Sequence, residues 1–134
     1  MTPRAWGGLV LSLMLAGGAA GASKTPLPGG LPDKNSPEAS IYRGGIVFGH
    51  YCVLCHGPKA DGAGRAAKLY NPKPANLVMS DKNDQYKELI IRQGGKTIGR
   101  SEFMPPWGQE LSDEQITDVV AYLRSVRSPS IHVD

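Results

Sequence analysis

Apolar positions recur at three- and four-residue spacing in three stretches of the chain, and no stretch shows a convincing alternation of the strand type. In the first stretch Ile41, Gly44, Gly45 and Phe48 share one face, which predicts a helix from Pro37 to about Gly49. Ser36 is placed to cap it and Pro37 suits the first helical position. Each helical glycine costs roughly 1 kcal/mol against alanine, so two side by side need a break or the close approach of another helix. The second stretch predicts a helix over Asp84–Gln93, with Tyr86, Leu89 and Ile90 on its apolar face, Asn83 or Asp81 as cap, and Gly94–Gly95 as its end. Leu89-Ile90-Ile91 is short enough for a strand, but its flanks favour helix. The third stretch is the clearest. Ile116, Val119, Val120 and Leu123 make a sustained face with Tyr122 at its edge, from Asp113 to about Val126. Ser112 and Gln115 have capping-box spacing, and Pro129 closes the element. The pattern is all-α: three main helices with long loops at 57–80 and 94–111. Loops of that length are uncommon unless they line something.

The N-terminal apolar run, Leu9 to Ala16, lies outside this pattern. It follows Arg4 and precedes Ala20 and Ala22, which form an A-x-A-like site. Residues 1–22 therefore read as a signal peptide, with an uncleaved membrane anchor as the alternative. No cysteine follows the run, which removes a lipoprotein anchor. Residues 23–35, with Pro26, Pro28, Gly29, Gly30 and Pro32, read as a flexible segment, residues 36–128 as one domain and 129–134 as a tail. A leader of this kind places the mature chain in the periplasm or on the extracytoplasmic side of a membrane, touching the membrane only if the leader is kept or through a membrane-bound partner.

Composition narrows the picture. The chain has 134 residues, 40% of them hydrophobic, which excludes a fully disordered polymer and bounds the fold to one domain. Yet it carries 17 glycines and 11 prolines against two Trp and two Phe, so a large self-contained core is hard to assemble. The formal charge is +3, with no dense basic run, and nucleic acid is not an expected partner.

The chemistry sits in Cys52-Val53-Leu54-Cys55-His56, a C-x-x-C-H motif. This is the attachment signature of c-type haem. Two thiols at this spacing can add to the two vinyl groups on one edge of the macrocycle, and the adjacent imidazole can reach the iron from the same side. A thioredoxin-like dithiol would need a preceding strand, and zinc would need a second ligand pair that His50 and His132 do not supply. A structural disulfide would leave the long loops unexplained. For the sixth iron ligand, the chain beyond the leader has Met79 and Met104. Met104, in Phe103-Met104-Pro105-Pro106-Trp107, sits in a proline-stiffened loop before the last helix and is the candidate; His56 and Met104 are then the metal ligands. His50 and His132 read as surface residues.

These residues together resemble a class I c-type cytochrome, the small monohaem electron carrier. The resemblance runs from about Glu38 to Arg127 and rests on Cys52, Cys55, His56 and Gly57, on Asp61-Gly62-Ala63-Gly64, on Met104-Pro105-Pro106-Trp107, and on the last helix with Ala121-Tyr122-Leu123-Arg124. It implies a class I cytochrome c-like fold around one haem c attached through Cys52 and Cys55. It also implies that the first and last helices cross through Gly45 or Gly44 and Phe48, with Tyr122 as aromatic partner. A proline carbonyl is expected to orient the His56 ring, Pro72 in preference to Pro74. Phe48, Leu69, Tyr86, Ile90, Phe103, Trp107 and Leu123 are the expected apolar shell. The implied role is non-enzymatic: one-electron transfer between redox partner proteins, free or as a subunit of a respiratory or dehydrogenase complex, with no small-molecule substrate. The alternative is a ligand-binding or sensor haem protein with a labile sixth ligand. Lys59, Arg65, Lys68, Lys96 and Arg100 are candidates to steer an acidic partner.

Overall fold

The computed structural model describes residues 33–128. The leader, most of the segment before Asp33, and the tail with His132 lie outside the described residues. The elements in chain order are α1 (Pro37–Tyr51), α2 (Val53–His56), a 3-10 turn (Ala67–Leu69), α3 (Asp84–Thr97) and α4 (Asp113–Ser125), with no strand among the described residues. The fold is all-helical.

The helix starts follow from local side-chain chemistry. Ser36 Oγ accepts the Ala39 N–H at 3.2 Å and Pro37 takes the first turn of α1. Asn83 Oδ1 accepts the Tyr86 N–H at 2.9 Å at the start of α3. The capping box of α4 is complete: Gln115 N–H donates to Ser112 Oγ at 3.2 Å and Ser112 N–H donates to Gln115 Oε1 at 2.9 Å. Three differences from the sequence pattern stand out. The α1 helix runs two residues further, to Tyr51. A short helix, α2, follows α1 ahead of the first long loop, and the 3-10 turn lies within that loop. The α3 helix continues past Gly94 through a break, with Gly94 at φ 75°. Periodicity cannot register elements of three or four residues.

The main contact is α1 against α4. Phe48 and Val47 from α1 join Ile116, Val119, Val120 and Leu123 from α4 in the core, with Ile91 of α3, Leu111 and Ala60 completing it. Burial of this set is the main favourable term. The two helices approach most closely at Gly44, where a Cβ would stand 1.9 Å from the Asp118 carbonyl oxygen. Gly45 faces the Tyr122 ring at 3.4 Å instead, so Gly44 makes the crossing and Gly45 lies beside it. The Phe48 and Tyr122 rings meet at 5.2 Å between centroids.

A polar clamp that the apolar pattern does not mark sits next to this crossing. Asp118 is buried on α4 and accepts from Arg43 Nε at 2.6 Å and from Ser40 Oγ at 2.6 Å, both on α1. Burial pushes its carboxyl up, but the hydrogen bonds from Arg43 and Ser40, with the Arg43 charge, outweigh burial and hold it below the usual carboxylate range. The clamp fixes the register of the two helices where the glycine lets them touch.

Candidate functional site

Cys52 closes α1, donating its N–H to the Phe48 carbonyl at 3.0 Å. The chain turns once more: Cys55 N–H and His56 N–H both donate to the Cys52 carbonyl, at 3.2 and 2.9 Å. Cys52, Cys55 and His56 thus stand at i, i+3 and i+4 of a single helical turn, the spacing that puts three side chains on one side. Both thiols are free and half-buried. Burial, with Cys55 beside it, pushes the Cys52 thiol up to about 12, so it stays protonated near neutral pH. A dithiol oxidoreductase needs the opposite, a readily formed thiolate.

The His56 Nδ1–H donates to the Ala75 carbonyl at 3.0 Å. That bond sets the tautomer with the lone pair on Nε2 and fixes the ring plane. Burial lowers the His56 pKa, and the Ala75 carbonyl opposes this only in part. The imidazole is therefore held neutral, the form that binds a metal. The carbonyl expected from Pro72 or Pro74 is supplied by the next residue instead, and Pro72 is exposed. A main-chain acceptor carries no side-chain signature, so the sequence locates the segment but the preferred Pro72 lies three residues before Ala75, and Pro74 one.

The loop after the motif is bonded directly to it. Gly62 N–H donates to the His56 carbonyl at 2.8 Å, Gly64 N–H to that of Cys55 at 3.1 Å, and Ala66 N–H to that of Leu54 at 3.0 Å. At Gly64 a Cβ would stand 2.3 Å from the Leu54 carbonyl oxygen, so only glycine allows this approach. Further on, Leu77 N–H and Val78 N–H both donate to the carbonyl of buried Ala60, at 2.8 and 3.3 Å.

The two methionines differ. Met104 is half-buried and packs against the core, whereas Met79 is 71% exposed. Aromatic pairs join the segments around them. Tyr51, next to Cys52, meets Trp107 edge-on at 5.3 Å, and Tyr70 meets Phe103 at 5.1 Å, linking the loop after α2 to the loop before α4. Among the described residues no three His, Cys, Asp or Glu side chains gather to hold a metal ion.

The family of cytochrome c oxidase, cbb3-type, subunit III, matches residues 39–123, the span from α1 to near the end of α4. The chain belongs to this family. Its relatives agree that it is a c-type cytochrome. Cytochrome c-554(548) of Halomonas halodenitrificans is 36% identical over 77 residues, covering 55% of this chain and 82% of the relative. Among solved structures, a chain of the reducing HAO-like protein complex of Kuenenia stuttgartiensis superposes with a TM-score of 0.54 at 29% identity, over 63% of this chain. This cytochrome spans 41% of that chain's length.

Family membership implies haem c, and the residues present fit it. The cytochrome offers two thiols and an imidazole on one turn, a thioether on a separate loop, and apolar side chains beyond those buried in its core. Leu69 and Phe103 are 77% and 47% exposed, and Trp107 is half-buried. A large apolar macrocycle is the kind of surface such side chains cover. Phe48 and Leu123, expected in the same shell, are buried core residues of the α1–α4 contact. The cytochrome is thus an electron-transfer haem protein by family. Among the described residues no helix is long and apolar enough to cross a membrane.

Proposed function

We propose that residues 36–128 form a monohaem cytochrome c domain that carries single electrons between redox proteins outside the cytoplasm. The supporting observation is the helical turn that sets Cys52, Cys55 and His56 at i, i+3 and i+4, with the His56 ring tied to Ala75. In this reading Cys52 and Cys55 would hold one haem c covalently, and His56 and Met104 would ligate its iron. The bound haem supplies an iron centre that holds one electron more or fewer. The chain's own residues do the rest. Ala75 keeps the His56 imidazole oriented, with its Nε2 lone pair available to hold the iron. The Met104 thioether would be the second protein ligand and would raise the potential. Leu69, Phe103 and Trp107 would shield a bound haem from water, which would favour the less charged ferrous state. No bond in a substrate is made or broken, and the role is non-enzymatic. Leader residues 1–22 would export the chain to the periplasm.

Lys59, Arg65, Lys68 and Lys96 are exposed and take part in no ion pair among the described residues, so they suit brief, steered contact with an acidic redox partner. Arg100 is less free, because its Nε donates to the Tyr86 hydroxyl at 2.9 Å. Whether the domain works free or as a fixed subunit of a respiratory or dehydrogenase complex, the electron step is the same.

A potentiometric titration of the purified holoprotein tests this function. We expect a single one-electron wave and a ferrous spectrum that carbon monoxide leaves unchanged. Ready carbon monoxide binding would contradict it and place the chain among ligand-binding haem proteins.

A further inference from the structure

The α3 break at Gly94 is more than a helix end. In an unbroken helix the Ile91 carbonyl would accept the Gly95 N–H, and the Arg92 carbonyl that of Lys96. Here Gly94, at φ 75°, redirects the chain, and the Gly95 N–H donates to the Met104 carbonyl at 2.8 Å. The Ile91 carbonyl accepts the Trp107 N–H at 2.8 Å, and the Arg92 carbonyl accepts the Gly108 N–H at 3.2 Å. The Gly95 carbonyl takes the Arg100 N–H at 2.7 Å, which turns the chain back. The loop over 101–108 is spliced into the hydrogen-bond ladder of α3.

Two of the three junctions pass through a glycine, Gly95 and Gly108, and a third glycine, Gly94, makes the break. A Cβ on Gly94 would stand 2.8 Å from Pro106 N and 2.9 Å from the Met104 carbonyl oxygen. One on Gly95 would stand 2.1 Å from the Ser101 carbonyl oxygen, and one on Gly108 2.9 Å from that of Arg92. These are backbone atoms, so relief requires the loop itself to move. Gly99 makes the contrast: its φ is also positive, at 70°, but nothing lies within 4 Å of its Cβ position.

We infer that Gly94, Gly95 and Gly108 are positioning residues for Met104: they lock its loop to α3 by main-chain bonds and so hold the thioether where it would ligate the iron of a bound haem. The inference rests on Met104 being the ligand, and it adds what keeps it there. Prolines 105 and 106 stiffen the loop, but they do not attach it. The attachment is the broken ladder.

The test compares Gly95→Ala, Gly108→Ala, Gly99→Ala and Met104→Ala as holoproteins, with covalent haem content and helical circular dichroism confirming that each has folded. Two quantities are read: the methionine-to-iron charge-transfer band of the ferric protein, and its affinity for added imidazole. Imidazole enters only where Met104 has left, so its apparent affinity rises in proportion to that open population. We expect Gly95→Ala to weaken or abolish the band and bind imidazole about tenfold or more tightly, with Gly108→Ala shifting the same way by less. Gly99→Ala, which brings the strain of a positive φ without a backbone collision, should lose some stability but keep the parental band and imidazole affinity. Should Gly95→Ala fail to fold, Gly108→Ala carries the test. A full band and unchanged imidazole affinity in the junction variants, or an equal effect in Gly99→Ala, overturns the inference. A band that survives in Met104→Ala overturns the ligand assignment beneath it, which separates the two failures.

Discussion

Replacing Gly44 by alanine is expected to destabilise the fold by about 3 kcal/mol or more, the upper part of the range for overpacking a tight core. The added methyl would stand 1.9 Å from the Asp118 carbonyl oxygen and 2.9 Å from Tyr122 Cβ. Neither is the free end of a flexible side chain, so α1 and α4 must separate. Separation also pulls Arg43 and Ser40 away from Asp118, whose buried carboxylate then loses its donors. Thermal unfolding should show a fall in Tm of about 10 °C or more for a domain of this size. Two neighbours calibrate the result. Gly49→Ala, with nothing within 4 Å, should be neutral or stabilise by up to about 1 kcal/mol through helix propensity. Gly45→Ala, 3.4 Å from the Tyr122 ring, should fall between. If Gly44→Ala unfolded no lower than Gly49→Ala, the close crossing would not exist in solution.

Met104→Ala should leave attachment intact and change the redox centre. Met104 belongs to a loop held by its main chain, through the Gly95 and Trp107 bonds, so removing the side chain does not release the loop. The thiols of Cys52 and Cys55 lie on a different element and are untouched. The holoprotein should keep its covalent haem, lose the methionine-to-iron band, and fall in potential by on the order of 0.1–0.3 V, a fraction of the about 0.8 V that axial ligands span. Redox potentiometry with the ferric spectrum reads both. A variant with the parental potential and band would shift attention to Met79, which is 71% exposed.

Much of this was legible in the residues, and most of what was not shares one cause. Side-chain chemistry announces itself: Ser36, Asn83 and Ser112 start their helices where expected, and the spacing of Ile116, Val119, Val120 and Leu123 is realised as the core face of α4. The C-x-x-C-H spacing becomes one helical turn, although that turn is a separate short helix after α1. The glycine pair in α1 signals a helix contact, but composition could not say that Gly44 meets the backbone and Gly45 a ring. Main-chain partners leave no trace in composition. Thus Ala75 takes the role expected of Pro72, and the Gly94–Gly95 pair, which reads as a helix stop, proves to be a junction with the Met104 loop. Asp118 hides for a different reason. It lies between Thr117 and Val119 with no sequence neighbour to pair it, and its partners on α1 are 75 and 78 residues away.

The most direct test of a covalently attached haem at this site is the intact mass of the exported, matured protein after acid–organic extraction. Attachment through Cys52 and Cys55 predicts the polypeptide plus one haem, with the colour staying in the protein fraction. Colour passing into the organic phase, with the protein at the mass of the polypeptide alone, would contradict it.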